Sequence, residues 1–327
     1  MPLVALLLAM AASAVSAQDI TFFRIGTGGT GGTYYPVGGV IAQAISNPPG
    51  SRPCGQGGSC GVPGLVAIAQ SSNGSVSNIK GIASGNLESG FAQSDTVYWT
   101  YTGTGVFKDE EPVMNMRAIA NLYPESIHVV ARKGSGIRTI HDLRGKRVSL
   151  DEPGSGTLID ARLILEAHDL SESDLKAQYI KPNLAAEKIK SGTLDAFFIV
   201  AGYPVSSVTQ LASGVGAQLV PVSGQQAEAL INKFGFFSHD TIPANSYPGI
   251  GETPTVSVGA QWIVGSDVDE MLVYNITQAI WNQQSRKLLD GGHPRGKAIV
   301  IDNALSGLGI PLHPGAERYY REKGLIE

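Results

Sequence analysis

Two glycine-rich loops carry the residue types most able to hold an anion. The first, Gly26-Thr-Gly-Gly-Thr-Gly-Gly-Thr33, follows an apolar run and precedes a helical pattern. Its Gly26, Gly28 and Gly31 satisfy G-x-G-x-x-G, the spacing of a dinucleotide fingerprint. That chemistry also needs an acidic residue about 20 positions on for the ribose. No Asp or Glu occurs between Asp19 and Glu88, so the fingerprint lacks its partner. The remaining reading is an anion site, in which backbone N–H groups at a helix start act with the hydroxyls of Thr27, Thr30 and Thr33. The second loop, Pro153-Gly-Ser-Gly-Thr157, repeats the arrangement. There Ser155 and Thr157 either contact a ligand or serve as ordinary helix caps, with Gly156 between them.

Two further polar clusters follow predicted strands: Ser71-Ser-Asn-Gly-Ser75 and Gln93-Ser-Asp95. In open α/β sheets ligands bind outside the carboxyl ends of strands, which makes Ser72, Asn73, Gln93, Ser94 and Asp95 candidates. Asp95 either faces a ligand amine or caps the following helix. Catalytic patterns are weak. Gly57-x-Ser59-x-Gly61 matches a nucleophile elbow in letters only, because it lies in a glycine-rich loop and not between a strand and a helix. The six histidines show no H-x-x-x-H spacing and read as surface or capping groups at turns and element ends. No cofactor, resident metal or enzymatic activity is expected.

The elements that must position these loops alternate. A strand over 20–25 leads into the first loop and a helix over 34–45, with Pro36 in its first turn. A strand over 65–69, a helix over 76–83 and a strand near 89–92 follow. A strand over 128–132 and another ending at Leu150 precede the second loop and a helix over 158–168. This repeated order predicts an α/β fold with a mainly parallel sheet. Ser84-Gly-Asn-Leu-Glu-Ser-Gly-Phe91 echoes Ser191-Gly-Thr-Leu-Asp-Ala-Phe-Phe198, which points to two lobes of similar plan. Each echo ends in a polar loop, Gln93-Ser-Asp95 in one and Gly202-Tyr-Pro204 in the other. Trp99 and Tyr101 read as one strand face or a core contact. Ser266 is expected to cap a long helix over 267–289, and the last helix runs from Pro314 to Gly324.

Of 327 residues, 43% are hydrophobic and 16% charged, with a formal net charge of −4. No Lys/Arg cluster marks a nucleic-acid surface. Pro2 to Val15 is apolar or small, and Val15-Ser-Ala17 suits signal-peptide cleavage, although no basic residue precedes the apolar run. An exported protein is expected. Cys54 and Cys60, the only two cysteines, then read as a local disulfide.

Taken together, Phe23-Arg-Ile-Gly-Thr-Gly-Gly-Thr-Gly-Gly-Thr-Tyr-Tyr-Pro36, Ser71–Ser75, Gln93–Asp95, Leu122-Tyr-Pro-Glu125, Asp151–Thr157 and Leu308-Gly-Ile-Pro-Leu-His-Pro-Gly315 resemble the TAXI family. These are the extracytoplasmic solute receptors of TRAP transporters. The resemblance implies a two-lobed, type II-like periplasmic binding protein. A signal peptide would occupy 1–17, one lobe 18–128 plus 259–327, and the other 129–258. It implies a small anionic metabolite as cargo, such as glutamate, 2-oxoglutarate or a dicarboxylate, and a TRAP-type permease as partner. The receptor is expected to be a monomer. Thr33, Ser155, Gly156 and Thr157 would take the carboxylate, with Thr27 and Gly28 in the same loop. Ser72, Asn73, Gln93, Ser94 and Asp95 would read the rest. Tyr123 sits in a matched motif, and Tyr34 or Tyr203 would cover the ligand. No cleft arginine is evident, unlike other TRAP receptors. A secreted small-acid enzyme and a surface protein with a vestigial cleft are the rival readings.

Overall fold

The computed structural model describes residues 20–327, so the predicted leader lies outside the described residues. The chain enters through β1 (Thr21–Gly26), which inserts Phe23 and Ile25 fully into the core. The first glycine loop turns it into α1 (Tyr34–Ile45). Two short strands, β2 (Ser46–Asn47) and β3 (Val62–Pro63), pair in parallel around the turn closed by the Cys54–Cys60 disulfide. Next come β4 (Leu65–Gln70), α2 (Ser75–Ala83), β5 (Ser89–Gln93) and α3 (Ser94–Thr102). Both β4 and β5 lie parallel to β1, with α1 and α2 in the crossover connections.

The second half repeats this plan after the long strand β6 (Met116–Arg132). Its elements are β7 (Arg147–Ser149), α4 (Gly156–Ala167), β8 (Lys176–Gln178), α5 (Pro182–Lys190), β9 (Ala196–Ala201), α6 (Ser206–Ser213), β10 (Ala217–Val220), α7 (Gln225–Lys233) and β11 (Ser238–Ile242). Here β7 is the strand flanked in parallel by β8 and β9. The long β12 (Thr253–Gly265) returns to the first half, which α8 (Glu270–Ile280), α9 (Gln283–Gly292) and α10 (Pro314–Glu322) complete.

The strands form one sheet in the order β4-β1-β5-β12-β6-β9-β7-β8, with β10 on β6 and β11 on β12. β6 and β12 run antiparallel to each other through both halves. Up to Tyr123, β6 faces the part of β12 that also pairs with β5; from Ser126 it pairs with β9. Glu125 stands at that changeover. The cores divide in the same way. Phe23, Ile41, Phe91, Leu122 and Trp262 pack in one. Val129, Leu143, Ile164, Phe198 and Val256 pack in another.

The duplicated sequence echo has a structural counterpart. In the first half the Arg24 backbone N–H donates to Glu88 Oε2 at 2.6 Å and its Nη2 to Oε1 at 2.5 Å. In the second, the Arg147 N–H donates to Asp195 Oδ2 at 3.0 Å and its Nη2 to Oδ1 at 2.7 Å. Each central strand, β1 or β7, is thus clamped to the start of a neighbouring strand by a bidentate, charge-assisted pair.

Four expectations change. The helix expected over 267–289 is two helices, because Asn282 caps α9 by accepting from Ser285 N at 2.8 Å. Asp269, not Ser266, caps α8, accepting from Leu272 N at 2.8 Å. Trp99 and Tyr101 lie on the helix α3, where Trp99 is a core contact against Phe234 and Phe236. His128 is no surface group. It is buried within β6, with Ser126 O at 2.8 Å and the Tyr247 hydroxyl at 2.8 Å satisfying its two ring nitrogens, and burial pushes it down to about 4.

Candidate functional site

A cavity lies where the two halves meet. Its free volume is about 60 Å³, far below the ~300–1,000 Å³ of drug-sized sites, so the cleft is shut. Contacts across it hold it shut. Asn73 Nδ2 donates to Pro153 O at 3.1 Å, Thr33 Oγ1 to Gly202 O at 2.5 Å, and Gln93 Nε2 to Asp160 Oδ2 at 2.7 Å.

Four helices begin at this cavity, and residues at each start line it: Thr33 and Tyr34 of α1, Gly74 and Ser75 of α2, Ser155 to Thr157 of α4, and Lys181 and Pro182 of α5. The first turn of a helix has backbone N–H groups without intrahelical acceptors and a positive dipole end. Two such ends from each half converge on one small space, an arrangement that attracts negative charge. Glycine is required at Gly156: a Cβ there would come within 1.4 Å of Gln93 Oε1.

The hydroxyls behave differently from the backbone. Ser155 Oγ caps α4, accepting from Leu158 N at 3.1 Å. Thr157 Oγ1 accepts from Val200 N at 3.1 Å. Thr33 makes no side-chain cap and points instead to Gly202. All three line the cavity, but each hydroxyl already has a protein partner.

Of the residues singled out from sequence, the structure brings Gly28, Thr33, Tyr34, Asn73, Gln93, Ser155, Gly156 and Thr157 to the cavity wall. It puts six elsewhere. Thr27 donates to Gln70 O at 2.8 Å, and Ser72 to Thr27 O at 2.8 Å, so both tie β1 to its neighbours. Ser94 Oγ accepts from Gly259 N at 3.1 Å, which joins α3 to β12. Asp95 and Tyr123 are buried behind the wall. Tyr203 does not cover the cavity; the Arg295 guanidinium lies 3.5 Å from its ring centre and takes up its face.

Sequence reasoning missed four titratable lining groups: Glu125, Asp151, Glu152 and Lys181. Lys181 forms an ion pair with Glu152 at 3.1 Å. Burial raises Asp151 to about 7, and it sits at φ 70°, a left-handed turn before the second loop. Burial likewise raises Glu125 to about 8, although Tyr34 OH donates to its Oε2 at 2.6 Å. A signal existed for Lys181, since Lys-Pro before an apolar-periodic run marks a helix start. For Glu125 the signal was a carboxylate set between the mostly apolar segments 118–123 and 127–131.

A larger groove, about 710 Å³, lies beside the disulfide. It is lined by side-chain amides such as Asn275, Gln278 and Gln283, with Lys287 its one charged group among the described residues. One helix start lines it, that of α9 through Asn282 and Gln283, where the cleft gathers four.

A family model described as "NMT1-like family" matches residues 25–324, and the chain belongs to that family. Among solved structures, the fold is similar to that of MatC from Rhodopseudomonas palustris with bound malate. Identity is 12% over 95% of this chain and 100% of that one, with a TM-score of 0.56. It is also similar to PhnD1 from Prochlorococcus marinus in complex with methylphosphonate. There the identity is 11% over 93% of this chain and 99% of that one, with a TM-score of 0.53. The chain thus shares the fold of these two structures.

Proposed function

We propose that this NMT1-like chain is an exported, TAXI-type receptor that closes on a small anion and hands it to a TRAP-type permease. The observation that carries this reading is the meeting of four helix starts at one cavity whose wall, among the described residues, contains no arginine. Each helix end near an anion contributes roughly 0.3–1 kcal/mol, and up to about 2 where partly buried. Four of them substitute for the guanidinium clamp. Thr33, Ser155, Gly156 and Thr157 hold the carboxylate, chiefly through the backbone N–H groups around them.

The lobes divide at 18–128 plus 259–327 and at 129–258, with hinges in β6 and β12 where strand partners change. Opening frees the cavity for a small acid such as 2-oxoglutarate, glutamate or a dicarboxylate. Closure then excludes water and requires that the ligand bind the shut form more tightly. The protein acts as a monomer outside the cytoplasm and binds without turnover.

A thermal-shift screen of amino acids, 2-oxo acids, dicarboxylates and methylphosphonate tests the reading. A ligand at ~100 times its Kd adds about 2.7 kcal/mol of stability. A shift with one anion is the expected result; no shift with any of them overturns it.

A further inference from the structure

Three carboxyl groups gather around the cavity floor: Asp95 of α3, Asp160 of α4 and Glu125 of β6. Their residues are 0%, 0% and 1% exposed. Asp160 Oδ2 is bonded by Gln93, while Asp95 Oδ2 and Asp160 Oδ1 find no donor elsewhere in the described residues. Those two side chains instead pair with each other, which two carboxyl groups do only through a proton. Glu125 is reached by Tyr34 of α1. From its own strand Tyr123 faces it with an unpartnered hydroxyl. Among the described residues the cation near the floor is Arg295, in the 3-10 turn Pro294–Ala298, and its Nε is committed to Tyr203 O at 2.9 Å. Lys181, on the wall, is held by Glu152.

Three ionised carboxylates and one guanidinium would bury two uncompensated negative charges, each costing several kcal/mol. Two protons remove that imbalance. One lies between Asp95 and Asp160. Glu125 is the natural site of the other, and of the three it alone lines the cavity.

We propose that Glu125 is the specificity-determining residue of the cleft: a neutral carboxylic acid at its floor that donates its O–H to an oxygen of the anionic ligand. The proposal deepens the anion-receptor reading and rests on it for the ligand's charge. An ionised Glu125 would repel that ligand from a space already shared with Asp151 and Glu152. The sign with pH is set by the raised carboxyl. The donor is present below about pH 8 and is lost as pH rises through that value, weakening affinity by up to tenfold per pH unit above it.

The test has a ligand-free arm and a binding arm. In the first, infrared spectra of the ligand-free protein at pH 7 are compared for wild type and Glu125→Gln. A protonated-carboxyl band present in wild type and diminished in the variant is expected. An unchanged band overturns the proposal. Carbon-13 titration of glutamate-labelled wild-type protein decides the same question if the variant fails to fold: one Glu carboxyl titrating near pH 8 supports it, and none doing so overturns it. In the second arm 2-oxoglutarate affinity is measured by calorimetry from pH 6 to 10. Glu125→Gln should lose the fall in affinity above pH 8 that wild type shows; an identical pH profile in the two proteins overturns the proposal. If 2-oxoglutarate does not bind wild type, only the choice of that acid fails, and the ligand-free arm still decides the state of Glu125.

Discussion

The two halves share a plan and a clamp, yet they treat their glycine loops differently. In each, a central strand meets its neighbour through an arginine that binds one carboxylate with both backbone and side chain. In the first half, Thr33 leaves its own helix uncapped and reaches across the cleft to Gly202. In the second, Ser155 caps α4 and Thr157 braces β9, so both hydroxyls stay within their half. The same letters, glycine beside threonine or serine, therefore do two jobs. One loop helps to latch the cleft and the other stiffens its wall. The free donors common to both are the backbone N–H groups.

The largest effect that would break this comparison is at Gly156. Gly156→Ala drives Gln93 off Asp160, since the new Cβ and Gln93 Oε1 cannot coexist. Losing a hydrogen bond to a charged group costs about 1.5–3 kcal/mol, so ligand affinity should fall roughly 10- to 100-fold. Gly28→Ala, where a Cβ meets nothing nearer than 3.6 Å, should bind nearly as wild type. Calorimetric titration of both variants checks this, and equal affinities would remove the assigned role of Gly156.

The disulfide comes next, because only the first half carries one. Replacing Cys54 and Cys60 by Ser frees a loop of sequence separation 6 and should cost about 2 kcal/mol in urea unfolding. Ligand affinity should not change, since neither cysteine lines the cleft.

The clamps predict a pH-dependent difference. Hydrogen bonds from Arg147 hold Asp195 down at about 2, below its ordinary value near 3.9. That stability is present above about pH 4 and is lost as pH falls through about 2. Arg147 is over a third exposed, so solvent screening reduces the contribution to about 1 kcal/mol. Asp195→Asn should lose that much at pH 7 and progressively less as pH falls to about 2 and below. At Glu88 burial works against the Arg24 bonds, which still hold it below its usual range. Glu88→Gln should lose less, and equal losses would mean that the two clamps are energetically alike.

The smallest pair separates cap from latch. Ser155→Ala should lose about 1 kcal/mol of stability through its missing cap. Thr33→Val should leave stability almost unchanged but weaken ligand binding about fivefold, by one net hydrogen bond of the shut state. Melting curves and affinities measured together tell the two roles apart.

Sequence periodicity located most elements, α1 to the residue at both ends. Local chemistry also located both loops and the cysteine pair, because period, glycine position and short-range spacing are written in neighbouring residues. The candidate site was legible where it coincided with those loops. Partners were not. The chemistry of Ser155 and Thr33 was open until the structure showed which atom each hydroxyl met. Gln93 meets Asp160 across 67 positions, and Tyr34 meets Glu125 across 91. No local pattern encodes such encounters. They depend on how β6 and β12 bring two separately packed halves together. The sequence by itself determined an α/β chain with two anion-attracting helix starts in glycine loops. Tertiary structure alone decided that four starts share one cavity and that a buried Glu forms its floor, because burial and charge compensation are properties of assembled neighbours.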